Sequence, residues 1–557
     1  MQTMGTGEKT MSPDSPDAAC IQTRARYCNG AFSRKEGLPD WRNPMGEGRW
    51  ATAGQGSRGW ALLSLCLATW LIGSLPAQET LMTRPRYEIA YASYFGGSDF
   101  EEARETIPYP DGSVLVGGGS RSADLPTTAG VLQPTYGSAR LARSNPEYRS
   151  GDCFLLRLSA DGSRMLQATY FGGSKQERPV YGMELDSEGN IVIASATRST
   201  DLPVTTGCFC SEYRWAHNGF AAKLSADFKQ LLWCTYLGFW PRGGLALDGR
   251  DNVCIVGSSY SPDFPTTEGV VQPKMSGTMQ SVILKLTPDG KRPIFSTFFG
   301  GGVEEPPTEE IPGVRVDAEG SIYVGGHTRS PNLPVTEGSF QANPGGESDA
   351  FLAKLSSDAS RVLYATYLGG NRHEFAEHRL FLDQDGTVLL VGATASPDFP
   401  TTEGAFQRRL GGQSDGFLAK LSADGKKLLF STFFGGSGRD FLLMPTPDAE
   451  GNIFVVGSTG SPDLPTTPDA LQRNYGGGEA DGVLALFSPD GAELIYATYL
   501  GGSGDELIRS LALGPRGEMY LVGKTSSKDF PVTPGAFQTK YGGGDSDAFV
   551  VELVPTR

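Results

Sequence analysis

The chain has 557 residues, of which 39% are hydrophobic and 20% charged, with 74 Gly and 37 Pro and a formal net charge of −15. Residues 1–77 hold 8 of the Lys and Arg and 6 of the Asp and Glu, which leaves 40 basic against 57 acidic side chains and a net charge of −17 beyond them. That acidity argues against nucleic acid or an anionic membrane as partner, since both need a basic footprint.

Residues 1–44 mix Ser, Pro, Gly and charge without periodicity and read as disordered or as a mis-assigned start. At Arg58 a basic residue precedes WALLSLCLATWLIGSL, an apolar run over 60–75 that is followed by Ala77. A basic flank, a short apolar core and a small residue describe a secretory signal, so residues 45–77 are read as a signal peptide with translation starting at Met45. The run is shorter than the about 20 residues of a membrane span. Leu75 stands where a small residue is preferred before the cut, so an uncleaved anchor is the alternative. Export follows from either reading, and the mature chain is expected to have no membrane span.

From Tyr91 onward one unit of about sixty residues recurs. Y-A-T-Y-L-G-G or a close variant begins at Tyr91, Gln167, Trp233, Phe295, Tyr364, Phe430 and Tyr496. A V-x-G run follows at Val114, Ile191, Val253, Ile322, Val388, Ile453 and Met519. D-F-P-T-T variants lie at Asp124, Asp201, Asp263, Asn332, Asp398, Asp463 and Asp529. D-A-F-L-A-K-L variants start at Asp152, Asn218, Gln280, Asp349, Asp415, Asp481 and Asp547. Short runs rich in Val, Leu, Tyr and Phe, fenced by Gly, Pro and Asp, are strands. Four strands per unit, repeated radially, make an all-β fold: one seven-bladed β-propeller of four-stranded antiparallel blades over 78–557. The first copy lacks a D-A-F strand before it and the last lacks a Y-A-T-Y strand after it, so 87–97 is expected to pair with 547–553 and close the ring.

The motifs Y-S-T-Y-L-G-G, D-x-x-G-N-x-Y-V-x-G and D-F-P-T-T-x-G-A-F-Q resemble the bacterial SBBP repeats, seven-bladed β-propeller repeats, over about Tyr87 to Leu553. The resemblance implies a secreted or surface scaffold with no shared catalytic motif. By analogy with other propellers, I-x-L-D is innermost, V-x-G second, D-A-F third and Y-A-T-Y outermost. Short, uniform Asp-Gly turns then lie on one face. The irregular stretches 136–151, 208–219, 239–243, 302–312 and 371–378 lie on the other. Function varies in loops on a rigid scaffold, which makes the irregular face the candidate binding face.

On that face Trp215, His217, Phe239, Trp240 and Arg242 form an aromatic and basic set suited to stacking on sugars or anchoring a protein. Glu304 and Glu305 begin an acidic loop that could serve glycoside chemistry. His373, Glu374 and His378 are the candidate metal ligands, although histidines five apart are not the zinc-helix spacing. Calcium is the other cofactor the pattern admits, through Asp152, Asp349, Asp415, Asp481, Asp547 and the acids after each Gly-Gly, although turn capping accounts for them without any cofactor. Export permits a disulfide, and Cys153 with Cys208 or Cys210 is the expected pairing; Cys234 and Cys254 read as buried apolar residues. D-F-P-T-T reads as architecture, because a catalytic site needs one special constellation rather than seven equal ones.

Together these readings give a secreted or cell-surface monomer, a non-enzymatic scaffold that binds a protein or polysaccharide through its variable face. The alternative is a propeller lyase or hydrolase using a metal or carboxylates on the same face.

Overall fold

The computed structural model describes residues 86–138, 151–214, 218–303, 309–376 and 379–556, so residues 1–44 and the stretch 45–77 read as a signal peptide lie outside the described residues. Among those described no helix is long and apolar enough to cross a membrane. The described strands form seven antiparallel sheets in chain order. The first blade runs through Glu101–Pro108, Val114–Ser120, Asp152–Leu158 and Met165–Phe171, hydrogen-bonded in that order. This is the expected sequence from innermost to outermost strand, and the other blades repeat it. In the fifth, the inner strand is split into Glu374–Phe375 and Phe381–Leu382.

The seventh blade takes Glu506–Leu513, Met519–Thr525 and Asp547–Thr556 from the C-terminal end of the chain, and its outermost strand, Arg86–Phe95, from the beginning of the repeat. The register runs from Arg86↔Thr556 to Phe95↔Ala548, with an irregularity between Ile89 and Tyr91. Val116 and Leu156 of the first blade share one apolar core with Val522 and Val550 of the seventh.

Each signature of the repeat has a physical cause in this arrangement. The second strand is sandwiched between neighbouring blades, so in Ile322–Thr328 every residue is buried. Its register against the inner strand slips at a bulge, between Ile508 and Ser510 in the last blade. The bulge drives the Leu507 carbonyl so close that a Cβ on Gly523 would lie 1.9 Å from it, which is why the third position of V-x-G lacks a side chain.

The D-F-P-T-T segment covers the outer edge of the outermost strand, an edge that would otherwise offer free N–H and C=O groups. In the first blade Thr128 N–H donates to the Ala168 carbonyl at 3.1 Å, and Tyr170 N–H to the Gln133 carbonyl at 3.0 Å. Leu125 plugs the core between them, 5% exposed. The Tyr170 hydroxyl donates to the Ser122 carbonyl at 2.7 Å and accepts the Leu125 N–H at 3.0 Å. On the uniform face, the Lys of D-A-F-L-A-K reaches the Asp of the first tight turn: Lys223 to Asp186 at 2.9 Å, Lys285 to Asp248 at 2.8 Å and Lys354 to Asp317 at 3.1 Å.

Candidate functional site: the axial mouth of the variable face

On the irregular face each inner strand is led in by a buried acid or its equivalent; Glu101, Glu374, Asp440 and Glu506 are the first residues of their strands. The next residue is equivalent in all seven blades, because it pairs with the same position of the second strand: Glu102 with Gly119, Trp240 with Ser258, Glu310 with His327, Phe375 with Ala393, Phe441 with Ser458 and Leu507 with Lys524. In the second blade Arg178 takes this place, its N–H donating to the Ala196 carbonyl at 3.0 Å. Seven equivalent positions therefore ring the axis, and they are not equal. Blades one to four supply Glu, Arg, Trp and Glu; blades five to seven supply Phe, Phe and Leu.

Contacts between blades lace the ring. The Arg509 guanidinium donates to Glu102 at 2.6 Å, with Arg104 on the other carboxylate oxygen at 3.5 Å. Burial pushes the Glu102 carboxyl up, but Arg104, Arg509 and Lys524 outweigh it and hold the group well below the usual range. Arg104 lies 4.8 Å over the Tyr181 ring. The Trp240 indole sits between Arg178 at 5.7 Å and Arg242 at 5.5 Å, and Arg242 pairs with Glu310. The His327 ring lies tilted against Phe375 at 4.5 Å and Phe375 meets Phe441 at 5.6 Å. Below the ring, Arg379 of the fifth blade pairs with Glu105 of the first, a tie between inner strands that are not neighbours in the ring. Burial lowers the Arg379 pKa to about 10.

Of the residues singled out from the sequence, Trp240 and Arg242 are at this mouth. Phe239 is a correction to the expected exposed patch: it is fully buried, against Phe264 at 5.5 Å, and belongs to the core. Trp215, His217, Glu304, Glu305 and His378 lie outside the described residues. His373 and Glu374 do not converge on a metal. His373 faces Glu347 at 2.9 Å, while Glu374 turns into the blade to accept from Thr394 at 2.7 Å and from Gly370 N–H at 2.9 Å. Adjacent residues of an extended strand point to opposite sides, which separates the two. Among the described residues no group of three His, Cys, Asp or Glu side chains is placed to hold a metal ion.

The expected disulfide is also corrected: all five described cysteines are free thiols. Cys153 Sγ lies in the apolar core against the Arg178 carbonyl at 3.2 Å, and Cys210 Sγ lies against the Glu212 carbonyl at 3.3 Å.

The repeated acids, read as a possible calcium ring, are surrounded by donors. Asp415 accepts from Gln407 at 2.6 Å and from the N–H groups of Gly411 and Gly412 at 2.8 and 3.1 Å. Glu506 accepts from Thr525, Ser527 and Gly502 N–H at 2.5, 2.6 and 2.9 Å. In these two acids the lone pairs are directed at N–H and O–H groups, which is turn chemistry.

The ring was missed in the sequence because its members differ in type. The signal available was positional: the residue after the acid, read across all seven copies.

No protein-family profile matches the chain, and no curated protein matches it. Among solved structures, the chain is similar to the WD40 β-propeller domain of Doa1, at 10% identity and a TM-score of 0.41, over 84% of this chain and 97% of that one. It is similar to BamB from Moraxella catarrhalis at 12% identity and a TM-score of 0.34, over 82% and 99% of the two chains. The quinohemoprotein alcohol dehydrogenase from Comamonas testosteroni gives 10% identity and a TM-score of 0.39, over 84% and 76%. Such likenesses carry nothing about function; the chain is a seven-bladed β-propeller on the pairing of its own strands.

Proposed function

We propose that this chain is an exported, non-enzymatic scaffold that binds a protein or polysaccharide through the variable face, centred on the axial mouth. The observation that carries this reading is the ring itself. The repeated acids all serve the same turns and blade junctions, whereas the seven equivalent ring positions carry different chemistry, with Trp240 held between two guanidiniums. An aromatic flanked by Arg is the composition of binding hot spots. A mouth half charged and half apolar suits a partner with both kinds of surface.

The test is binding of the full chain to a panel of soluble bacterial surface polysaccharides and outer-surface proteins. Trp240→Ala and Arg178→Ala are expected to weaken the interaction at least tenfold, and Asp385→Asn in a turn of the uniform face to leave it unchanged. Binding lost through Asp385→Asn and retained in both mouth variants would overturn the assignment.

A further inference from the structure

A second feature of the variable face lies between the third and fourth blades. Five blades share one tie. The amide of a Gln after D-F-P-T-T donates from Nε2 to the Asp of D-A-F and accepts at Oε1 the N–H of the first Gly of Gly-Gly. In the fifth blade Gln407 donates to Asp415 at 2.6 Å and accepts from Gly435 at 3.0 Å; in the sixth Gln472 donates to Asp481 at 3.2 Å and accepts from Gly501 at 2.9 Å. The second blade has Cys210 and Asn218 instead, but Asn218 still takes the Gly238 N–H at 2.8 Å, so its turn stays anchored.

The third blade breaks the tie. Gln280 replaces the Asp; its Nε2 donates to the Gly300 carbonyl at 3.0 Å and its Oε1 accepts the Ser276 N–H at 2.7 Å. The outermost strand then runs on through the Gly-Gly, as Pro293–Val303, eleven residues against seven in the fifth blade. Gln272, the counterpart of Gln407, keeps its Nε2 near Ser276 Oγ at 3.3 Å, and Gly300 no longer caps its Oε1. Where the tie would be, a cavity of about 500 Å³ opens, lined by Gln272, Ser276, Asn332, Pro334, Val362 and Phe299 among others. None of its lining side chains is charged.

We propose that this cavity is a subsite for a neutral saccharide. Amide and hydroxyl groups from Gln272, Asn332 and Ser276 supply the donors and acceptors that sugar hydroxyls need. Pro334 and Val362, both half-buried, supply the apolar wall against which the C–H face of a pyranose packs. The volume falls within the about 300–1,000 Å³ of small-molecule sites. An uncharged lining favours a hexoside over a uronate, whose carboxylate would be desolvated with no cation to meet it. This assignment deepens the reading of the variable face as a binding face and rests on it.

Calorimetric titration of the full chain with methyl glucoside, methyl galactoside, methyl mannoside and glucuronate tests it. At least one neutral glycoside is expected to bind saturably and at least tenfold more tightly than glucuronate. Gln272→Ala and Gln280→Asp, the latter restoring the tie and closing the cavity, are each expected to weaken it at least tenfold, with the melting temperature of Gln280→Asp equal to or above that of the parent. Asp385→Asn, in a turn of the uniform face, is expected to leave glycoside binding unchanged. Absence of glycoside binding, equal binding of glucuronate, or full binding by Gln280→Asp would each overturn the subsite. Polymer or protein binding that still depends on Trp240 would in that case leave the reading of the mouth intact.

Discussion

At the level of single side chains, the groups that depart from the repeat are held by unusual contacts. Glu105 is 4% exposed and relies on Arg379 of a distant blade. Removing one partner of a buried pair leaves an uncompensated charge and costs about 3–5 kcal/mol. Arg379→Ala is therefore expected to lower the urea midpoint strongly, and the double change Arg379→Ala with Glu105→Ala to recover most of the loss. Gly523 has no room for a side chain, since its Cβ would lie 1.9 Å from the Leu507 carbonyl. Gly523→Ala should cost at least the about 1–3 kcal/mol typical of overpacking, read from the same denaturation curve.

At the level of strands and their connections, stability comes from covering edges. The D-F-P-T-T segment was read from sequence as architecture, and the structure shows what it builds: a backbone cover for the outermost strand, plugged by one apolar side chain and tied by one hydroxyl. Leu125→Ala should destabilise by about 2–5 kcal/mol through the cavity it leaves. Tyr170→Phe should cost only about 1 kcal/mol. The molecule carries this change already, because Phe298 and Phe433 stand at the same place in the third and fifth blades. What the linear pattern concealed was the tie between Gln and Asp, whose loss in the third blade is a single residue, Gln280.

For the molecule as a whole, the junction acids set the response to pH. Burial raises Glu101 to about 7, Glu177 to about 8, Glu374 to about 7, Asp440 to about 6, Asp481 to about 6 and Asp547 to about 7. Asp481 and Glu506 crowd one point, the Cβ position of Gly501, from 3.0 and 2.4 Å, and Oδ1 of Asp481 and of Asp547 accept no hydrogen bond among the described residues. Unfolded carboxyls titrate near about 4. Between that value and about 8 the folded state holds more protons than the unfolded one, so stability is lost as pH rises through the folded values. The opposite group, led by Asp161, Asp248 and Asp358 at about 2, withdraws stability below pH ~4. The melting temperature is expected to be higher at pH 5 than at pH 8; a rise toward pH 8 would contradict the protonated junctions. Deleting residues 86–95 should remove the outer strand of the last blade, expose the edge of Asp547–Thr556 and give aggregation in light scattering.

Seven copies of four strand-length runs were enough to settle blade number, strand order and the exchange of a terminal strand, because periodic apolar patterning and Gly-Pro-Asp punctuation are local properties that survive in a linear reading. The axial ring and the interblade cavity were not legible in this way. Both arise where residues some sixty positions apart, or 274 apart for Arg379 and Glu105, are brought together by closure of the ring. Closure also decided the fate of single residues that the pattern left open: Phe239 went to the core, Trp240 to the mouth, and Cys153 to a blade interior out of a disulfide. Neighbours in sequence fall on opposite sides of a strand, and only the packing of one blade on the next determines which side meets solvent.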